Sequence, residues 1–197
     1  MKNRKTTIIL LISFFIGLSV LLYPSISSYW NSKTQSQAIV NYEAMLAQYK
    51  PEDYTAIFAE ADAYNEKLQQ LKNPLMEYAS LTEYSRVLDI SGTGMMGYVT
   101  IPKISQELPV YHGISAEVLN VACGHLEGTS FPVGGESTHC VISGHRGLPS
   151  AKLCSDLDKI AEGDPFILRV LDEILPPSFT DSIQEVGLLE IPAERII

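Results

Sequence analysis

The amino-acid sequence predicts a mainly β domain preceded by N-terminal α-helices, and three observations carry that assignment. An almost unbroken apolar run from Ile8 to Tyr23 follows Lys2, Arg4 and Lys5. From about Ser32 to Leu71 the chain is polar, with apolar residues recurring at helical spacing. From Met96 onward, short runs containing β-branched residues alternate with glycine- and proline-bearing segments, the pattern of strands joined by ordered loops.

The first run is broken by polar residues only at Ser13 and Ser19, and Pro24 closes it. At about 1.5 Å per helical residue it falls slightly short of a bilayer core, and Thr6 and Thr7 extend it. The basic flank and terminal position favour a signal peptide or signal anchor over a buried core helix, with the N-terminus cytoplasmic and the remainder outside. Ser25-Ile26-Ser27 offers small residues for cleavage but lacks the A-x-A form, so residues 1–24 read as an uncleaved anchor.

Residues 25–72 form the helical region. Ile39, Tyr42, Leu46 and Tyr49 mark one helix. Pro51 interrupts, and Glu52 and Asp53 supply the acidic first turn of a second. Tyr54, Ile57, Phe58, Ala61, Tyr64, Leu68 and Leu71 then form one apolar stripe. Such a pair packs against its own domain; the alternative is a partner-binding or membrane-proximal pair. Asn73-Pro74 ends the second helix, and residues 73–95 form a linker with Ser91-Gly92-Thr93-Gly94 as a hinge or loop.

In the β region, Gly97 to Ile101 reads as a strand ended by Pro102, and Leu108 to Tyr111 as another. Ser115 caps a short helix through about Ala122, with Glu117 in its first turn. Gly124 to Gly135, with four glycines and a proline, is an ordered loop. Thr138 to Ile142 is a strand that runs into Ser143-Gly144, with His145 at its end before the turn Arg146-Gly147-Leu148-Pro149. Lys152 to Ile160 suggests a short helix and Pro165 to Leu171 a further strand. A strand end is rigid behind and open in front, a suitable mount for an imidazole that moves protons near neutral pH. On local pattern alone a structural histidine fits the same position.

Composition narrows the function. The chain of 197 residues suffices for one domain plus a membrane segment. Its net charge of -9 argues against nucleic acid as a partner, because phosphate binding needs a basic footprint. Cys123, Cys140 and Cys154 form no C-x-x-C pair and no disulfide framework, and read as small buried apolar residues. His112, His125, His139 and His145 show no close metal-ligand motif, and no cofactor is expected.

An ordered set of motifs then changes the weight on His145. Gly97-Tyr98-Val99-Thr100-Ile101-Pro102-Lys103-Ile104 is followed by Leu108-Pro109-Val110-Tyr111-His112-Gly113. Next come Gly124-His125-Leu126-Glu127-Gly128-Thr129-Ser130-Phe131-Pro132-Val133-Gly134-Gly135, and then Ser143-Gly144-His145-Arg146-Gly147-Leu148-Pro149. Over roughly Ser91 to Leu175 this series resembles the sortase family, and within it class C, the pilin-polymerising sortases. The resemblance implies a sortase-type β-barrel over residues 96–175 and makes His145 the catalytic histidine. It implies a cysteine transpeptidase of the cell surface that cleaves sorting signals and joins pilin subunits. Its partners would be sorting-signal peptides of pilin-type proteins and the membrane.

That chemistry needs a thiolate to attack a threonine carbonyl in a signal such as L-P-x-T-G, a histidine to handle protons, and an arginine to steady the oxyanion. In the family the cysteine ends a later strand in a T-L-x-T-C motif, with the arginine on the strand after it. Neither is found here, and residues 176–197 read as a divergent tail. The expectation is therefore an incomplete barrel, truncated before the nucleophile and inactive alone; the alternatives are a non-catalytic membrane-tethered interaction protein, or a chain completed by strands from another polypeptide. Cys140 lies about 16 Å from His145 along an extended strand, too far for a nucleophile–base pair. Cys123 and Cys154 lack the surroundings of a nucleophile, and neither Arg146 nor Arg169 is assigned to the oxyanion. The linker has only Asn73-Pro74-Leu75 where the family lid carries Asp-Pro and an aromatic residue. An incomplete barrel leaves strand edges unpaired, so a marginally stable outer domain is expected.

Overall fold

The computed structural model describes residues 2–134, 137–161, 164–171 and 187–192. Helix α1 (Lys2–Leu46) is a single helix with Pro24 inside it, continuing past the proline that closes the apolar run. An internal proline removes one backbone hydrogen bond and crowds the preceding turn; the long helical stretches on both sides carry the chain through that local loss. The first half of α1 exposes Ile8, Leu11, Phe15 and Ile16 among others. It includes a stretch long and apolar enough to cross a membrane by length and composition. The second half buries Ile39, Tyr42 and Leu46 against the sheet, three of the residues whose spacing predicted a helix.

Helix α2 (Pro51–Gln69) begins where Asp53 accepts a hydrogen bond from the Lys50 backbone N–H at 2.9 Å. That contact realises the acidic first turn. Its stripe faces inward: Ala61, Tyr64 and Leu68 are buried, and Tyr54, Ile57, Phe58 and Leu71 pack against the core. The helix pair therefore packs on its own domain. After α2, the four-residue helix α3 (Pro74–Glu77) and a 3-10 turn (Tyr78–Ser80) open the linker.

The sheet contains β1 (Met95–Ile101), β2 (Gln106–His112), β3 (Cys123–His125), β4 (Val141–Arg146), β5 (Ile167–Arg169) and β6 (Gly187–Pro192). Their order is β5-β1-β2-β3-β4-β6, so among the described residues the sheet is open, with β5 and β6 at its edges. An incomplete barrel behind an N-terminal helical region is what the sequence led one to expect. The short helix α4 (Ala116–Leu119) lies between β2 and β3, and Ser115 caps it by accepting from the Val118 N–H.

Three local expectations differ. Cys123–His125 is a strand rather than the start of a loop, paired parallel to β2 and antiparallel to β4. Its three residues are too few, and too glycine-rich, to give a strand pattern. Strand β4 starts at Val141 rather than Thr138, because the backbone of His139 is engaged by Ser130: the Ser130 N–H donates to His139 O at 2.8 Å and His139 N–H to Ser130 Oγ at 3.3 Å. Finally, residues 152–160 form turns and one 3-10 segment (Leu157–Lys159) instead of a helix. The Cys154 N–H there donates to His145 O at 3.2 Å, which removes it from any helical ladder.

Candidate active site

His145 is the fifth residue of β4, 3% exposed. Side chains alternate across a strand, so Ser143 and His145 share one face while Ile142, Gly144 and Arg146 belong to the other. Pairing carries that division into β3, where Cys123 is opposite Gly144 and Gly124 opposite Ser143. Arg146 sits at the strand end, exposed, and pairs with Asp158 at 3.7 Å.

Helix α4 fixes the ring. His145 Nδ1 lies 2.8 Å from the carbonyl oxygen of Leu119, the last residue of α4. A carbonyl only accepts, so Nδ1 carries the proton and donates it. In the neutral ring Nε2 is then the bare nitrogen, and among the described residues it is buried with no hydrogen-bond partner. Ser143 Oγ, two residues earlier on the same face, is likewise buried and unpartnered. Buried polar atoms are normally paired, and two unpaired on one face call for an explanation. A base nitrogen and a hydroxyl on one face suit a ligand that both donates and accepts. Reading the sequence around His145 alone missed Ser143; the period of two along β4 is the signal that finds it.

The three thiols belong elsewhere. Cys123 and Cys154 are buried beside each other at Gly144, on the face of β4 away from His145. The hydrogen bond to Cys154, which the neutral thiol donates, and then burial push the Cys123 thiol well above its ordinary range. Cys140 precedes β4, and burial pushes its thiol up to about 12. Attack on a carbonyl needs thiolate, and at Cys123 and Cys140 the surroundings favour the neutral thiol.

A second cluster supports the site from the core side. His125 is fully buried, stacked against Phe131 with ring centroids 5.3 Å apart and against Tyr84 at 5.8 Å. Its Nε2 lies 2.9 Å from Ser130 O and its Nδ1 3.0 Å from Tyr84 Oη. Burial lowers its pKa to about 4, so the ring is neutral near pH 7 and donates from Nε2. Asn65 of α2 clamps the same loop, accepting from Phe131 N–H at 2.7 Å and donating to Phe131 O at 3.3 Å. His112 bridges to Gly94 O and Val87 O, whereas His139 is exposed. His112 and His125 thus share the Tyr84–Phe131 cluster, apart from His139 and His145. The linker also reaches this loop: a Cβ on Gly128, whose φ is +84°, would lie 2.8 Å from Pro74 O and 2.9 Å from Leu75 Cα.

A family model described as "Sortase domain" matches residues 99–175. Among solved structures, sortase C1 from Streptococcus agalactiae is 42% identical, with a TM-score of 0.61 over 70% of this chain and 72% of that one. Sortase C from Streptococcus pneumoniae, a structure whose title refers to catalysis and pilin substrate specificity, is 40% identical, with a TM-score of 0.59 over 69% of each chain. A pilus-related sortase C of Group B Streptococcus is 38% identical, with a TM-score of 0.56 over 67% of this chain and 69% of that one. Among curated proteins, none matches the chain. At this identity, over two thirds or more of each chain, the chain belongs to the sortase family, and within it to class C.

Proposed function

We propose that this protein recognises the sorting-signal peptides of pilin-type surface proteins, with His145 as the group that handles protons at the scissile amide. The observation that carries this reading is the orientation of His145: Nδ1 tied to Leu119 O, Nε2 buried and, among the described residues, unpartnered. In sorting-signal transpeptidation a thiolate attacks the threonine carbonyl, a thioester forms and the C-terminal fragment leaves as an amine. His145 in its protonated form gives the Nε2 proton to that leaving nitrogen, and the bare Nε2 then takes one from the incoming amine of the next subunit. The Nδ1–H···O=C bond holds the ring in place through both transfers.

The thiol for the covalent step is none of Cys123, Cys140 and Cys154. The T-L-x-T-C motif does not occur in residues 1–197. In register beside His145 stands Ile191 of β6, flanked by Glu190 and Pro192. The chain by itself therefore binds a sorting signal without transferring it. The apolar half of α1 anchors the protein in the membrane and leaves the sheet on the outer side, where its substrates are displayed. Residues 73–95, whose Pro74 and Leu75 lie against Gly128, act as the lid-like linker.

The test uses the full chain in detergent micelles and a fluorescent L-P-x-T-G peptide. Saturable binding with no amine released and no mass added to any cysteine is the expected result. A peptide acyl group on one of the three thiols would overturn the assignment of the nucleophile, and absence of binding would overturn the assignment of the substrate.

A further inference from the structure

Gly144 separates His145 from Ser143 and faces the opposite side of β4. The position that its absent Cβ would occupy is 2.5 Å from Cys154 Sγ and 3.1 Å from Cys123 Sγ. Both sulfurs therefore converge on one small volume that only glycine leaves empty. Cys123 is held there by the sheet, directly opposite Gly144 in the β3–β4 pair. Cys154 arrives from the segment after β4 and is pinned by its own N–H on His145 O at 3.2 Å, with Ser155 Oγ accepting from the Gly147 N–H at 3.0 Å. The two thiols are hydrogen-bonded to each other and buried. Cys140 is apart from them, ahead of β4.

We propose that Cys123 and Cys154 are a cross-linking site: they close an intramolecular disulfide across Gly144, staple the segment after β4 to β3, and fix the backbone that carries His145. The oxidant is a disulfide of the thiol-exchange class, such as glutathione disulfide. One protein thiolate attacks it, expels one small thiol and forms a mixed disulfide; the second protein thiolate then attacks the protein sulfur and expels the other. Two protein thiols lose two electrons and two protons, and two small thiols are formed. Burial keeps the folded pair slow to react, so the bond closes while the core is still open to solvent. An oxidising exterior, the side assigned to the sheet under the proposed function, supplies such oxidants; the juxtaposition of the two sulfurs does not depend on that assignment.

The bridge encloses residues 123 to 154, which include β3, β4 and both buried histidines. A loop of this size restricts the unfolded chain enough to raise the midpoint of thermal unfolding by about 6–12 °C. The test needs no peptide substrate, so its outcome is separate from that of the proposed function. The full chain in detergent is warmed to near its midpoint in a glutathione redox buffer, cooled, blocked with an alkylating reagent and digested without reductant. The expected result is a cross-linked peptide pair containing Cys123 and Cys154, one alkylated cysteine (Cys140), and the rise in midpoint. The rise should be absent in Cys154→Ala. Three alkylated cysteines after this treatment, or a bridge through Cys140, would overturn the proposal, and the peptide map of the unsubstituted chain decides it even where the variant fails to fold.

Discussion

Substituting Gly144 by alanine tests the packing beneath the candidate site. The new methyl would lie 2.5 Å from Cys154 Sγ and 3.1 Å from Cys123 Sγ, against ordinary non-bonded separations of about 3.5–4.0 Å. Neither sulfur retreats easily. Cys123 belongs to the central strand β3, and Cys154 is fixed by its bond to His145 O. Gly144 is not at positive φ, so the cost is overpacking rather than backbone strain, about 1–3 kcal/mol. The gain from reducing unfolded-chain entropy, about 0.4–1 kcal/mol, does not cancel it. Urea unfolding of the full chain under reducing conditions should show a lower midpoint with an unchanged slope. Adding Cys154→Ala removes the nearer sulfur, so the double variant should lose less than the two single losses combined, by about 1 kcal/mol. A Gly144→Ala chain within about 0.5 kcal/mol of the parent, or strictly additive losses, would refute this packing.

Tyr42 joins α1 to the sheet, donating to Met96 O and accepting from Leu171 N–H, each at 3.0 Å. Tyr42→Phe leaves both buried groups unpaired and should cost about 1–3 kcal/mol by chemical unfolding. Asn65→Ala strips the paired hydrogen bonds from Phe131 and should cost about 2–3 kcal/mol, with faster amide exchange at Phe131 as the local readout. His125 has its pKa lowered from 6.5 to about 4 by burial. Between those values the unfolded chain binds more protons than the folded one, so this residue's contribution is complete at pH 7. It is lost as pH falls from 6.5 to 4, by about 3 kcal/mol. An NMR titration in which the His125 ring protonates near 6.5 would contradict that reading.

The helical region was legible because its apolar spacing is long and regular: Ile39, Tyr42 and Leu46, then Ala61, Tyr64 and Leu68, are the residues that meet the core. β1 and β2 were legible for the same reason, each of seven residues with punctuation at its ends. β3 was not, since a three-residue strand has no period to detect and exists through its two neighbours. β6 was equally hidden, lying in a tail where no motif continues. At the site, His145 was marked by its strand end and by the ordered motifs around it. The hydrogen bond to Leu119 O spans 26 residues of sequence, and no local pattern encodes it. The meeting of Cys123 with Cys154 is hidden in the same way: it depends on the loop after β4 folding back over Gly144.

The bond to Leu119 O holds the His145 ring with its proton on Nδ1 and leaves Nε2 bare in the neutral ring. Nitrogen-15 NMR of the histidine-labelled full chain in detergent near pH 8, with His145 assigned by its loss in His145→Gln, reads the tautomer directly. The expected result is a neutral-ring tautomer with the proton on Nδ1 and none on Nε2. A His145 ring found with its proton on Nε2 would contradict it.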